Sequence, residues 1–146
     1  MTLLKTMIFL AVMCLTLSSP TALRAQERMR AGNWENTVMA GGQTITKNAC
    51  LSAHDAAMSN GSPAVIRAEI EKALAQGKSC KLADFKIDGT SKTETLICGA
   101  DTIRNETTFH GGDSFETTTT HTQGGVASVS HFKGHRTGAC KASDEK

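Results

Sequence analysis

Cysteines and a late group of histidines are the side chains here best suited to chemistry, and their spacing decides which chemistry is open to them. Cys14 stands inside an apolar N-terminal run, whereas Cys50, Cys80, Cys98 and Cys140 are spread over the rest of the chain. Thiolate zinc sites bring their ligands in close pairs such as C-x-x-C, but these four cysteines are separated by 30, 18 and 42 positions. Four well-spaced cysteines with none left over describe a disulfide framework in an oxidising compartment. Three pairings are possible in principle, and the sequence favours one. Asp88-Gly89-Thr90 is a turn signal between two strand-like segments, "CKLADFKI" and "SKTETLIC", and Cys80 and Cys98 lie nine residues to either side of Gly89. A hairpin folded about that glycine sets Cys80 opposite Cys98. Cys50 is then left for Cys140, tying the second strand to the C-terminal tail. On a chain-entropy account each link contributes roughly 3 to 5 kcal/mol, the longer loop more.

His110, His121, His131 and His135 all fall in the last third of the chain. Three imidazoles on neighbouring strands are able to bind zinc or copper. Only His131 and His135 are closely spaced, however, and a four-residue step suits a helix better than the strand and glycine turn read at "HFKGH". The expectation is no metal and no cofactor, with a histidine metal site as the alternative. Hydrolysis by His121 or His131 with Glu116 or Asp113 needs a nucleophile and a base within hydrogen-bond reach. The chain has no G-x-S-x-G elbow, no H-E-x-x-H, no P-loop and no Gly-rich dinucleotide turn. Two disulfides also leave the mature chain no free cysteine. The expectation is a protein without catalytic residues, a hydrolase-type enzyme being the alternative.

The first 25 residues follow the three-part grammar of a secretory signal: Lys5, an apolar run from Met7 to Leu17, then Ser18, Ser19 and Pro20 before Ala25. That run is well short of the roughly 20 residues a permanent transmembrane helix needs, so no stable membrane anchor is expected. Residues 1–25 are read as a cleaved signal peptide that takes Cys14 with it, and residues 26–146 as one domain. Lys5 and Arg24 leave with the signal, so the 14 acidic residues are matched by as many Lys and Arg in the remainder. A balanced domain without blocks of like charge lacks the electrostatic footprint of a nucleic-acid binder or of a protein held on anionic lipid.

The elements that must position these residues read as a sheet with one helical insert. "NWENTVMA" and "QTITKNAC" flank Gly41-Gly42 as a hairpin. A short helical turn follows, with Ser52 as its cap, Asp55 completing an S-x-x-D pattern, and Asn60-Gly61 ending it. A longer helix begins at the N-cap Ser62, with Pro63 at its first position and Gly77 just past its end. Within it Ile66, Ile70, Ala73 and Leu74 form an apolar stripe that is expected to face the sheet. "DTIRNETTFH", "SFETTTTHT" and "VASVSHFKGH" then join the central hairpin, with Gly111-Gly112 and Gly124-Gly125 as turns. The predicted fold is α+β: a curved antiparallel meander of about six to seven strands, a helical insert after strand two, and two disulfides.

Aromatic residues are few and there is no tyrosine. Trp34, Val38, Ile45, Phe85, Ile87, Phe109 and Phe115 are therefore expected to share one sheet face, as filled core or as the lining of a ligand site. Trp34, Glu35, Val38, Phe85, Phe109 and Phe115 are taken as the candidate binding face.

"MRAGNWE" at Met29 to Glu35, the pair Cys50-Leu51 ahead of a short helical segment, and the closing "GAC" at Gly138 to Cys140 resemble the bacterial exported proteins grouped as domain-of-unknown-function family 3617. The resemblance spans nearly the whole mature chain. It implies a bacterial envelope protein, periplasmic or otherwise secreted, and carries over no catalytic residue. The functional expectation is a non-catalytic protein that binds a small molecule or another envelope protein.

Overall fold

Threonines, β-branched residues and regularly placed glycine turns build nearly all of this chain into strands, for steric reasons. Branched side chains pack well on a pleated surface. At Gly41-Gly42 and Gly124-Gly125 both residues of each turn have positive φ, the mirror-image turn that matches the twist of a hairpin and that glycine adopts without strain. A computed structural model describes residues 27–77 and 79–141. The signal segment read at residues 1–25 lies outside these residues.

Seven strands form: β1 (Gly32–Ala40), β2 (Gln43–Leu51), β3 (Cys80–Asp88), β4 (Ser91–Cys98), β5 (Asp101–His110), β6 (Ser114–Gln123) and β7 (Val126–Gly138). Two helices, α1 (Ala53–Ser59) and α2 (Pro63–Gly77), separate β2 from β3. The strand order is β2-β1-β7-β6-β5-β4-β3, antiparallel throughout. Strands β3 to β7 are a meander, and the β1–β2 hairpin closes onto β7 through β1. The sheet does not close into a barrel, and β2 and β3 are its edges. Both disulfides form as the spacing predicted. Cys80–Cys98 joins paired positions across β3 and β4, with Cα atoms 4.1 Å apart, and Cys50–Cys140 ties β2 to the tail at 5.4 Å.

The helix caps also follow the sequence. Ser52 Oγ accepts from the Asp55 amide at 3.1 Å and donates to the Asp55 carboxylate at 2.8 Å. Ser62 Oγ accepts from the Val65 amide at 3.4 Å. Three details differ. Gly77 is the last residue of α2 rather than the first beyond it, the usual ambiguity of a fraying end. Of the predicted stripe, Ile66, Ile70 and Leu74 are half-buried and Ala73 is exposed. Strand β7 runs on to Gly138, and Gly134, read as a turn, lies inside it.

The reason for Gly134 is on the facing strand. Phe115 is its register partner, and a Cβ on Gly134 would run into the Phe115 ring and the Asn36 side chain. The glycine therefore opens the space the ring fills, a use that a turn-based reading of glycine misses. Phe115 stands at the centre of an aromatic cluster, its ring centroid 5.7 Å from Trp34, 6.5 Å from Phe109 and 5.6 Å from Phe132. Such pairs each add about 0.5–1.5 kcal/mol beyond the area they bury. Trp34 is only 2 % exposed and Phe109 is also buried.

The segment before β1 seals this corner. The Trp34 indole donates to the Arg30 carbonyl at 2.9 Å, and Arg136 Nε donates to the Ala31 carbonyl at 2.8 Å. The Arg30 amide donates to the Gly112 carbonyl at 2.9 Å. The Asn60 side chain acts as a piece of backbone: Oδ1 accepts from the Arg28 and Met29 amides at 2.6 and 3.1 Å, and Nδ2 donates to the Met29 carbonyl at 2.7 Å.

Candidate functional site

Alternation along paired strands assigns every strand side chain to one of two faces. The inner face, the one α2 lies against, carries Trp34, Val38, Phe85, Ile87, Phe109, Phe115 and Phe132. Five of the six candidate binding-face residues thus share a surface. The sixth, Glu35, follows Trp34 directly and so points to the other side, its carboxylate 3.8 Å from His135 Nε2. That outer face is threonine-rich and solvated, with exposed ion pairs such as Lys133–Glu116 at 2.9 Å. Lys133, as hydrogen-bond donor and as charge, holds the Glu116 carboxyl below its usual range.

A cavity of about 230 Å³ lies between α2 and the inner face, bounded by Ile66 and Ile70 above and by Ile87, Phe109 and Phe115 below, with Lys92, Thr107 and Thr117 at its polar side. A second hollow shares Ile66 and Ile70 and reaches Met58 and Ala73 along the helix. The opening has a local cause. α2 packs chiefly on the edge strand β3, and none of its residues is buried. Its stripe therefore reaches the sheet without closing on it.

Next to this apolar floor runs a polar ladder that the sequence reading did not single out. Lys92 Nζ lies 3.2 Å from Glu94 Oε2, Asn105 Nδ2 donates to Glu94 Oε1 at 3.0 Å, and Thr119 Oγ1 donates to Asn105 Oδ1 at 2.7 Å. Thr107 and Thr117 hydroxyls meet at 2.9 Å beside it. The Lys92 and Glu94 side chains are 21 % and 13 % exposed, the least exposed ion pair among the described residues. Each charge has a partner, which is the condition for keeping it there. The signal available in the sequence was parity: Lys92 and Glu94 share the alternation class of Leu96, opposite a class of Ser91, Thr93, Thr95 and Ile97.

The histidines do not converge. His121 lies on the inner face with Nε2 3.4 Å from Asp101, while His110, His131 and His135 lie on the outer face. Among the described residues no three His, Cys, Asp or Glu side chains are grouped to hold a metal ion. The acid–base pairings considered for hydrolysis are not assembled either. Asp113 pairs with Arg30 at 2.8 Å, Glu116 with Lys133 and His121 with Asp101. No helix among the described residues is long and apolar enough to cross a membrane.

One family matches the chain, over residues 29–140, under the description "Protein of unknown function (DUF3617)". No curated protein and no solved structure matches it.

Proposed function

The chain belongs to the DUF3617 family, and from that premise together with the half-seated helix we propose that it is an exported, non-catalytic binding protein of the bacterial envelope. Its site is the groove between α2 and the inner face, and its ligand a small, largely apolar molecule. The observation that carries this reading is the unfilled space beneath Ile66 and Ile70. A chain with few large side chains in its core leaves two of them, Ile66 and Ile70, half-covered over that space. A concave apolar hollow with a few polar groups at one side is the usual form of a small-molecule site. Export is supported by the leader-like N-terminus and by two disulfides, which persist in oxidising compartments.

Trp34 is a built-in reporter, because its ring touches Phe115, which lines the groove. Titration of the purified protein with neutral 1-octanol is expected to change Trp34 emission saturably and to raise the melting temperature. An Ile70→Phe variant, whose ring fills the groove without adding a second tryptophan, is expected to fold and lose both responses. A flat titration with alcohols from hexanol to dodecanol would defeat the proposal.

A protein partner is a second reading, favoured by the β2 edge. Positions 43–49 are all exposed, the pairing with β1 is unbroken over the whole strand, and Ile45 is 53 % exposed. β3, the other edge, carries a bulge near Ala83 and is backed by α2, devices that discourage strand addition. An added strand along β2 is the corresponding mode of recognition. An Ile45→Lys change is expected to abolish any such complex and leave octanol binding intact.

A further inference from the structure

Arg28 is 7 % exposed, and no acidic side chain among the described residues pairs with its charge. Nη2 donates to the Gly61 carbonyl at 2.9 Å, whereas Nε is buried with no hydrogen-bond partner. Leaving such a group in water-poor surroundings is costly. Burial alone pushes its pKa below the ordinary guanidinium value, as expected where no acid faces it.

Arg28 also forms one wall of a cavity of about 380 Å³ whose other walls are Asn60, Gly61, Ser62, Pro63, Ile87 and Gly89. Ser62 and Pro63 are the start of α2, so the cavity opens on the N-terminus of a 15-residue helix. Pro63 has no N–H, and the first i→i−4 bond is from Ile66 to the Ser62 carbonyl. The amides of Ala64 and Val65 therefore belong to the unsatisfied first turn, and only Val65 has the Ser62 hydroxyl, at 3.4 Å. That turn carries no acidic residue. Asp88, next to Gly89, alternates onto the outer face, away from the cavity. The cradle is also rigidly held, since Asn60 binds the Arg28 and Met29 backbone on both sides.

We propose that this cavity is an oxyanion site, in which a carboxylate or phosphate group sits between the Arg28 guanidinium and the N-terminal end of α2 at Ser62 and Pro63. A planar guanidinium and the positive end of a helix dipole attract the same kind of ligand. The site is separate from the groove reading: the two cavities share only the Ile87 side chain.

The test is thermal melting of the purified protein in sodium phosphate, sodium acetate and sodium chloride at matched ionic strength and pH, repeated on Arg28→Gln and Ala64→Glu. Ala64 is exposed, and a glutamate there suits the helix N-terminus while repelling an anion, so this variant keeps the test valid if Arg28→Gln folds poorly. Phosphate, acetate or both are expected to raise the wild-type melting temperature saturably by about 2–4 °C over chloride. The Ala64→Glu protein is expected to melt at or above the wild-type temperature in chloride and to show no anion effect. Equal melting in all three salts, or a phosphate or acetate effect that survives Ala64→Glu, would overturn the proposal. A response to phosphate alone would assign the site to phosphate-bearing ligands, and one to acetate alone to carboxylates.

Discussion

Two regions of the inner face are built from the same kinds of residue and are finished differently. At the Trp34 corner the rings of Trp34, Phe109 and Phe132 all pack on Phe115, Gly134 makes room for that ring, and the segment from Arg28 to Ala31 is bonded across the end. Under α2, three isoleucines and two phenylalanines border a space that they do not fill. The corner shows that this chain is able to close a core where closure is required. On the proposed reading, the open region is the part of the inner face that a ligand fills.

The disulfides and the Trp34 corner carry the largest expected losses. Loss of Cys50–Cys140, through a double change to serine, is expected to cost about 4–5 kcal/mol, and loss of Cys80–Cys98 about 3 kcal/mol, because the loops they close span 90 and 18 positions. Urea unfolding of the two double variants checks the order. Trp34→Ala is expected to cost about 3–5 kcal/mol, and Gly134→Val to be comparably damaging, since the side chain must displace the Phe115 ring. Ile70→Ala should fall well below this range, about 1 kcal/mol, because its side chain is only half-buried. An Ile70→Ala cost equal to that of Trp34→Ala would erase the distinction between the regions.

Smaller effects are expected at the polar ladder and on the outer face. Lys92→Met removes the partner of a mostly buried carboxylate and is expected to cost about 1–2 kcal/mol, read by the same unfolding curves. On the outer face, Glu116 has a depressed pKa in the folded state. Its stabilising contribution is thus present above the ordinary carboxylate pKa and lost as the pH falls through the folded value. The pair is exposed and screened, so Glu116→Gln should leave stability at neutral pH almost unchanged.

Much of the architecture was legible because it rests on local rules. Glycine pairs set the hairpins, Ser52 and Ser62 set the helix starts, and the Asp88-Gly89 turn set Cys80 against Cys98. What escaped depends on neighbours distant in the chain. Gly134 looks like a turn until Phe115 is placed opposite it, and Arg28 looks like a surface charge until the α1–α2 corner folds over it. Glu35 shows the converse: adjacency to Trp34 in sequence places it on the other side of the sheet.

Backbone amide hydrogen exchange, measured with and without 1-octanol, is the most direct check on a half-seated helix over a binding groove. The account predicts that α2 amides exchange much faster than those of Thr107, Phe109 and Phe115, and that octanol slows α2 selectively. Equal protection of α2 and the central strands, unchanged by octanol, would contradict it.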